Sequence, residues 1–303
     1  MELGRLLTAM ITPFDDGGKV DYEQAKRLAL TLLDCGSDGL VVAGTTGESP
    51  TLTRDEKVRL FAEVKAAVGN RGAVVAGTGT YDTAESIELT REAERAGADG
   101  VLLTTPYYSR PPQEGLYRHF AAIAEVTSLP VIVYNIPSRT AVNLAVETQV
   151  RLAQIPNMAG VKEASGDLQQ ISQIIEDAPP TYRVWSGDDQ MLLPVMSVGG
   201  YGVVGVSSHL VGVQMRRIIS AYLEGNVEEA SAIHRRILPL LITLMTTMVN
   251  PIPIKFALRH LGFPTGGFRL PLVDPNEASG RHIMDEIAKH KIDFVPGKRG
   301  VAV

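Results

Sequence analysis

Cysteine is nearly missing from this chain: Cys35 is the one thiol in 303 residues. A lone thiol excludes an intrachain disulfide and cannot make a metal site by itself. Its expected role is packing at the end of a helix. Histidine offers no replacement. His119, His209, His234, His260, His282 and His290 are scattered, with no pair at metal-binding spacing, so no metal cofactor is expected. Positive charge is not in excess either. The chain carries 29 Lys and Arg against 34 Asp and Glu, a net charge of −5. That balance argues against nucleic acid and against an anionic membrane as partner. No apolar run is long enough to span a bilayer. The Met1-Glu2-Leu3-Gly4-Arg5 start has no charged-then-apolar leader pattern. A cytoplasmic protein is therefore expected. What remains is ordinary for a folded chain. It is 45% hydrophobic and 21% charged, enough for one large or two medium domains.

Eight apolar runs recur along the first three quarters, each followed by a helical segment. Asp21 is placed to open the first helix, with Gln24 set for a capping box. Thr53 and Glu56 repeat that signature before a helix reaching about Val68. The apolar runs include Gly39–Ala43, Ala73–Ala76, Val101–Leu103, Val131–Val133 and Val203–Val206. A helix precedes the last of them, and the final helix of the series begins near Val211. The repeat of roughly 20–35 residues is the size of one strand plus one helix. Eight such units close into a (β/α)8 TIM barrel, expected over residues 1–225. Residues 226–303 read as a C-terminal helical region packed on the barrel. An open doubly wound sheet is the structural alternative, but the first turn carries no Gly-x-Gly-x-x-Gly fingerprint.

The stretch Met158–Asp167 holds the strongest chemical signal. Met158 to Val161 is small and apolar, like a strand buried on both faces, and Lys162 comes at its end. Ser165, Gly166 and Asp167 then read as turn and helix cap. Desolvation disfavours an ammonium, and the neutral amine is the form that attacks carbonyl carbon. The plainer alternative is a lysine paired with Glu163 or reaching to the surface.

Position decides between the two. Thr45, Thr46, Tyr107, Tyr108, Tyr134, Arg139, Lys162, Gly187 and Asp188 all fall just after apolar runs. In a barrel those positions share the face where active sites lie. Lys162 is accordingly read as catalytic. Thr45 and Thr46 with Gly47 suit a small carboxylate, or are simply turn residues. Tyr134, one strand before the lysine, suits proton transfer, or is a core tyrosine. Arg139 is a clamp for a substrate carboxylate or a solvated charge. The Gly199-Gly200-Tyr201-Gly202 stretch has the look of a phosphate loop, or of a flexible turn.

Three segments carry a family resemblance. They are Gly44-Thr45-Thr46-Gly47-Glu48, Tyr134-Asn135-Ile136-Pro137-Ser138-Arg139-Thr140 and Val161-Lys162-Glu163-Ala164. At these spacings the chain resembles the dihydrodipicolinate synthase / N-acetylneuraminate lyase family, over nearly its whole length and through Asn250-Pro251-Ile252-Pro253-Ile254-Lys255. Tyr107-Tyr108-Ser109-Arg110-Pro111 and Ser138-Arg139-Thr140 point to the dihydrodipicolinate synthase branch. The resemblance implies a class I aldolase mechanism with no metal or organic cofactor. Lys162 would form an imine with pyruvate. The derived enamine would add to L-aspartate 4-semialdehyde, and cyclisation would release 4-hydroxy-tetrahydrodipicolinate. Tyr134 would donate and accept protons. Thr45 and Tyr108 would complete a hydroxyl relay, with Tyr108 supplied by a neighbouring subunit. Thr46 and the backbone at Val204, near Gly187, would hold pyruvate, and Arg139 would receive the aldehyde. The implied assembly is a homotetramer built as a dimer of dimers.

Two rivals stand beside this reading. A related aldolase that cleaves sialic acid or a 2-keto-3-deoxy sugar acid would share the threonines, tyrosine and lysine. Arg139 is the residue that discriminates, because it faces a second substrate carboxylate. A non-catalytic ligand-binding barrel would be the reading if Lys162, Tyr134 or Thr45 were missing, and all three are present.

Overall fold

The computed structural model describes residues 2–296, so residues 297–303 of the expected C-terminal region lie outside the described residues. Strand and helix alternate from the start: β1 (Leu6–Ala9), α1 (Tyr22–Asp34), β2 (Gly39–Val42), α2 (Arg54–Val68), β3 (Ala73–Gly77), α3 (Thr83–Arg95), β4 (Gly100–Thr104) and α4 (Gln113–Ala124). The series continues with β5 (Val131–Asn135), α5 (Pro137–Thr140), α6 (Val146–Leu152), β6 (Met158–Glu163), α7 (Leu168–Asp177), β7 (Arg183–Ser186), α8 (Leu192–Ser197), β8 (Gly202–Gly205) and α9 (Ser208–Leu223). Three more helices follow, α10 (Val227–Thr246), α11 (Ile252–His260) and α12 (Glu277–Ile287).

All eight strands pair in parallel with their sequence neighbours, and β8 closes on β1. The fold is therefore the (β/α)8 barrel. Its strands are apolar on both faces because one face lines the barrel and the other meets the helices. Leu40, Val41, Val42, Val74, Val75, Ala76, Val131, Ile132 and Val133 are all buried. Among the described residues no helix is long and apolar enough to cross a membrane. Beyond the barrel, α10 packs along α9, and α12 packs on α10 and α11.

Local signals place most helix starts. Thr53 and Glu56 make the full reciprocal capping box before α2. Asp167 accepts the N–H groups of Gln169 and Gln170 at the start of α7. Cys35 is buried as the C-terminal cap of α1 and touches the carbonyl of Asp293 at 3.5 Å. At α1 only half of the expected box forms. Asp21 accepts from the Gln24 N–H, but its own N–H is already taken by the carbonyl of Pro13.

Three expectations need correction. The last barrel helix starts at Ser208, before Val211, and Val211 is a kink within it at φ −128°, ψ 34°. Polar residues hid its first turn from the apolar pattern. Ser208 and His209 are buried because Thr8 donates to Ser208 at 2.7 Å and the Val206 carbonyl holds His209 Nδ1 at 2.7 Å. The segment after β5, where the apolar pattern predicts no element between Val133 and the next helix, holds the one-turn helix α5, too short to show periodicity and opened by Pro137 at its first position. Finally, Gly199-Gly200-Tyr201-Gly202 is not an anion loop. It precedes β8 and so lies at the opposite end of the barrel from the site. The N–H groups of Gly199 and Gly200 return to the carbonyls of Met196 and Val195. The Tyr201 ring is held between the guanidinium groups of Arg5 and Arg183, at 4.1 and 4.0 Å.

One buried ion pair ties the C-terminal helices to the barrel mouth. Lys255 Nζ in α11 lies 2.7 Å from Glu48 Oε1 in the loop after β2, and neither side chain is accessible. The second Glu48 oxygen accepts the Arg269 N–H at 3.2 Å, and the Phe14 ring centroid lies 3.9 Å from Lys255 Nζ. Two charges removed from water repay their desolvation only through each other, so losing one partner strands the other. Lys255→Met is expected to destabilise the fold by about 3–5 kcal/mol, and the Glu48→Gln/Lys255→Met double variant by clearly less. Urea unfolding of the three proteins measures this. Equal losses in single and double variants would mean that the pair carries no such coupling.

Candidate active site

Lys162 ends β6 at the C-terminal mouth of the barrel and is 5% exposed. Its position follows from a bulge. The β5–β6 register passes from Val131↔Met158 to Ile132↔Gly160, leaving Ala159 as the extra residue. A one-residue step exchanges the faces of a strand. Beyond the bulge Tyr134 pairs with Lys162, and the amine lies 4.1 Å from the centre of the tyrosine ring. No hydrogen bond or ion pair holds the amine among the described residues.

Glu163 does not pair with it. That carboxylate is buried and fully engaged elsewhere, by Asn135 at 3.0 and 3.1 Å, Gln149 at 3.0 Å and the Ser165 N–H at 2.9 Å. Burial therefore acts on Lys162 with little to oppose it. Desolvation pushes its pKa down to about 8; the Asp189 carboxylate raises it, and the Arg139 guanidinium lowers it further. Burial moves the Tyr134 phenol the other way, upward, so it stays protonated.

Gly187 makes room for the amine. A β-carbon there would lie 2.7 Å from Ala164 Cβ and 3.2 Å from both Cγ and Cε of Lys162. Any side chain would have to push the lysine aside. Val204 is buried in β8, in register with Leu7 of β1. Beyond it the Asp189 carboxylate accepts the N–H groups of Val206 and Ser207, the latter at 2.6 Å. Asp188 is only a turn cap, bound to Gln190. Asp189 is the carboxylate whose charge reaches Lys162, and its neighbour Asp188 obscured it in the sequence.

The loop after β2 presents the two threonines. It is a compact turn, with Gly47 N–H and Ser49 N–H both donating to the Gly44 carbonyl. Glu48 sits in the left-handed region at φ 57°. Thr46 is buried, and its hydroxyl oxygen accepts from the Asn250 side-chain amide at 2.9 Å. Thr45 faces a cavity of about 220 Å³, together with Lys57, Leu102, Thr104, Tyr107 and Arg139. Lys162 and Tyr134 do not line that cavity; they stand on the strands beside it, Thr104 pairing with Tyr134 and Tyr134 with Lys162. Arg139, in α5, approaches the Asn250 carbonyl at 3.5 Å.

Tyr107 and Tyr108 part company. Tyr107 lines the cavity, with its ring edge-on to Tyr81 at 5.2 Å. Tyr108 is 94% exposed at φ 72° and is not part of the site within its own chain. Asn250, Asp189 and the Glu48–Lys255 pair went unread in the sequence. Their roles lie in contacts between residues distant along the chain, although Glu48, Asn250 and Lys255 stand in segments quoted for the family resemblance.

A barrel whose mouth holds a buried, readily deprotonated lysine beside a protonated tyrosine belongs to the lyases that work through an imine. The chain belongs to the dihydrodipicolinate synthetase family, whose model matches residues 2–291. It is 58% identical over 273 residues to the 4-hydroxy-tetrahydrodipicolinate synthase of Moorella thermoacetica, covering 90% of this chain and 93% of that one. To the enzyme of the same name from Dehalococcoides mccartyi strain 195 it is 54% identical over 293 residues, covering 97% and 98%. Among solved structures, a dihydrodipicolinate synthase from Bacillus anthracis superposes with a TM-score of 0.92 at 42% identity, covering 95% of this chain and 98% of that one.

The lowered pKa sets a pH dependence. With a pKa of about 8, about a tenth of Lys162 is neutral at pH 7, against less than about a thousandth for an ordinary lysine. Reductive alkylation of Lys162 by a small carbonyl compound should accelerate from pH 6 and level off above about 8, followed by peptide mass mapping. Asp189→Asn removes a charge that favours the ammonium, so its inflection should move to lower pH. A rate still climbing at pH 10 in the parent chain would contradict the desolvation argument.

Proposed function

We propose that this chain is a Schiff-base-forming synthase that condenses pyruvate with L-aspartate 4-semialdehyde to 4-hydroxy-tetrahydrodipicolinate, in the route to diaminopimelate and lysine. The observation that carries this reading is the unpartnered, buried amine of Lys162 beside Tyr134. The names borne by the relatives supply the product, and the family resemblance supplies the two substrates.

In this reading the neutral Lys162 amine attacks the keto carbon of pyruvate, and water leaves to give an imine. The imine withdraws electrons, so a methyl proton departs and an enamine forms. Its terminal carbon bonds to the aldehyde carbon of the second substrate. The substrate's own amine then displaces Lys162 as the ring closes. Tyr134 relays the protons: burial keeps its phenol protonated, and the hydroxyl gives its proton on one side as it takes one on the other. Thr45 passes them outward. Thr46 and the backbone at Val204 take the pyruvate carboxylate, near Gly187, whose missing side chain leaves Lys162 its place. Arg139 stands on the cavity wall where a second carboxylate would arrive.

Pyruvate with borohydride should add the mass of a reduced imine to Lys162, located by peptide mapping. An adduct on a different lysine, or none, removes the mechanism.

The assembly we propose is a homo-oligomer, a tetramer arranged as a dimer of dimers, in the cytoplasm. Support comes from Tyr108. Tyr108 is 94% exposed on a single chain, next to the site-lining Tyr107, and in the proposed assembly it would enter a neighbouring subunit, since aromatic residues are enriched at interface cores. The described part of the C-terminal region, residues 226–296, is read as a helical region packed on the 1–225 barrel, since Asn250 and Lys255 reach the β2 loop. Light scattering at assay concentration should show at least a dimer, and Tyr108→Phe should lose activity while keeping its assembly. A fully active monomer would exclude a role for a neighbour's Tyr108.

A further inference from the structure

The segment from Asn250 to Lys255 grips the β2 loop at two points. Lys255 holds Glu48 through the buried ion pair, and two residues earlier in the loop Asn250 holds Thr46. The Asn250 side chain is 7% exposed and only half satisfied. Its amide donates to Thr46 Oγ1, while its Oδ1 is buried with no partner. Packing alone would be served at least as well by an apolar side chain of similar size, since an unpaired buried carbonyl is unfavourable. The use of this asparagine lies in its N–H.

A threonine hydroxyl has one hydrogen to give and lone pairs to receive. In Thr46 the Asn250 amide occupies the receiving side. The hydroxyl makes no donor bond to any described residue, so its hydrogen is turned away from Asn250 and remains free. A hydroxyl that accepts one hydrogen bond is also a better donor of the next, because successive bonds polarise one another. The Lys255 ion pair to Glu48, two residues further along the loop, holds the loop backbone beside Thr46.

We infer that Asn250 is a positioning residue for the keto-acid site: by donating to Thr46, it commits the Thr46 hydroxyl hydrogen to the carboxylate of the bound 2-keto acid. This rests on the proposed pyruvate chemistry. A region outside the eight strands thereby sets the donor that receives the first substrate.

The test is a double-mutant cycle in the full-length protein with Asn250→Ala, Thr46→Val and the two together. The readouts are the pyruvate concentration that half-saturates borohydride inactivation, and the KM and kcat for each substrate. Thermal unfolding establishes that each variant is folded. Should Asn250→Ala not fold, Asn250→Ser enters the same cycle with the same expectations. Asn250→Ala should raise the half-saturating pyruvate by about 3–10-fold, the size of one lost polar contact, with the aldehyde KM unchanged. Thr46→Val should raise it at least as much, and the double variant no more than Thr46→Val alone. An unchanged or lowered half-saturation in Asn250→Ala overturns the inference. So does a double variant whose loss is the product of the single losses, which would mean that Asn250 acts independently of Thr46. If the parent protein itself gives no pyruvate adduct on Lys162, the underlying chemistry fails, an outcome separate from the other two.

Discussion

Desolvation of one amine is the constraint around which this barrel mouth is arranged. A lysine ammonium seeks water or a carboxylate, and Lys162 is denied both. Its strand is buried, and the nearest carboxylate in sequence, Glu163, is saturated by Asn135, Gln149 and the Ser165 N–H. Asp189 is close enough to moderate the effect, but its oxygens are occupied by backbone N–H groups of the β8 loop. Had either carboxylate been free to pair, the amine would have stayed charged and unreactive. Reactivity here depends as much on what Glu163 and Asp189 are bound to as on the lysine itself.

Register carries the next requirement. Tyr134 and Lys162 meet because the β5–β6 ladder gains one residue at Ala159. Without that bulge the inward and outward faces of β6 would exchange. Lys162 would point into the helix layer, and the Glu163 network would turn into the barrel. The bulge lies at the N-terminal end of β6, away from the chemistry, yet it decides which side chain reaches the mouth. Gly187 completes the arrangement from the neighbouring strand end, since a side chain there would occupy the space of Lys162.

The sequence made the scaffold legible because its signals are local. Apolar runs of three to five residues gave the strands, and the Thr53–Glu56 and Asp167 caps fixed two helix starts to the residue. The position of most candidate residues along the chain was legible too, since Thr45, Thr46, Tyr134 and Lys162 each fall within three residues of the end of an apolar run. The failures share a cause. The first turn of α9 is polar by residue type but buried by contact, so periodicity passed over it. The Gly199–Gly202 stretch has the composition of an anion loop, but its N–H groups serve the preceding helix end. Asn250, Asp189, and the pairing of Lys255 with Glu48, depend on partners far away in the chain, which no local pattern encodes.

That division bears on where the boundary of the site lies. Read by element order, the barrel ends with its eighth helix, and the helices after it look like an appendage. Read by contacts, Lys255 supplies the counter-charge for a glutamate in the β2 loop, and Asn250 reaches both Thr46 and Arg139. Glu48 holds a left-handed backbone angle that disfavours a side chain. The ion pair and the Arg269 N–H are what keep it there. The threonine loop is thus held by contacts from α11 and from the residues that flank it. A barrel cut after α9 would keep every residue of the proposed chemistry and lose the contacts that Asn250 makes with Thr46 and Arg139.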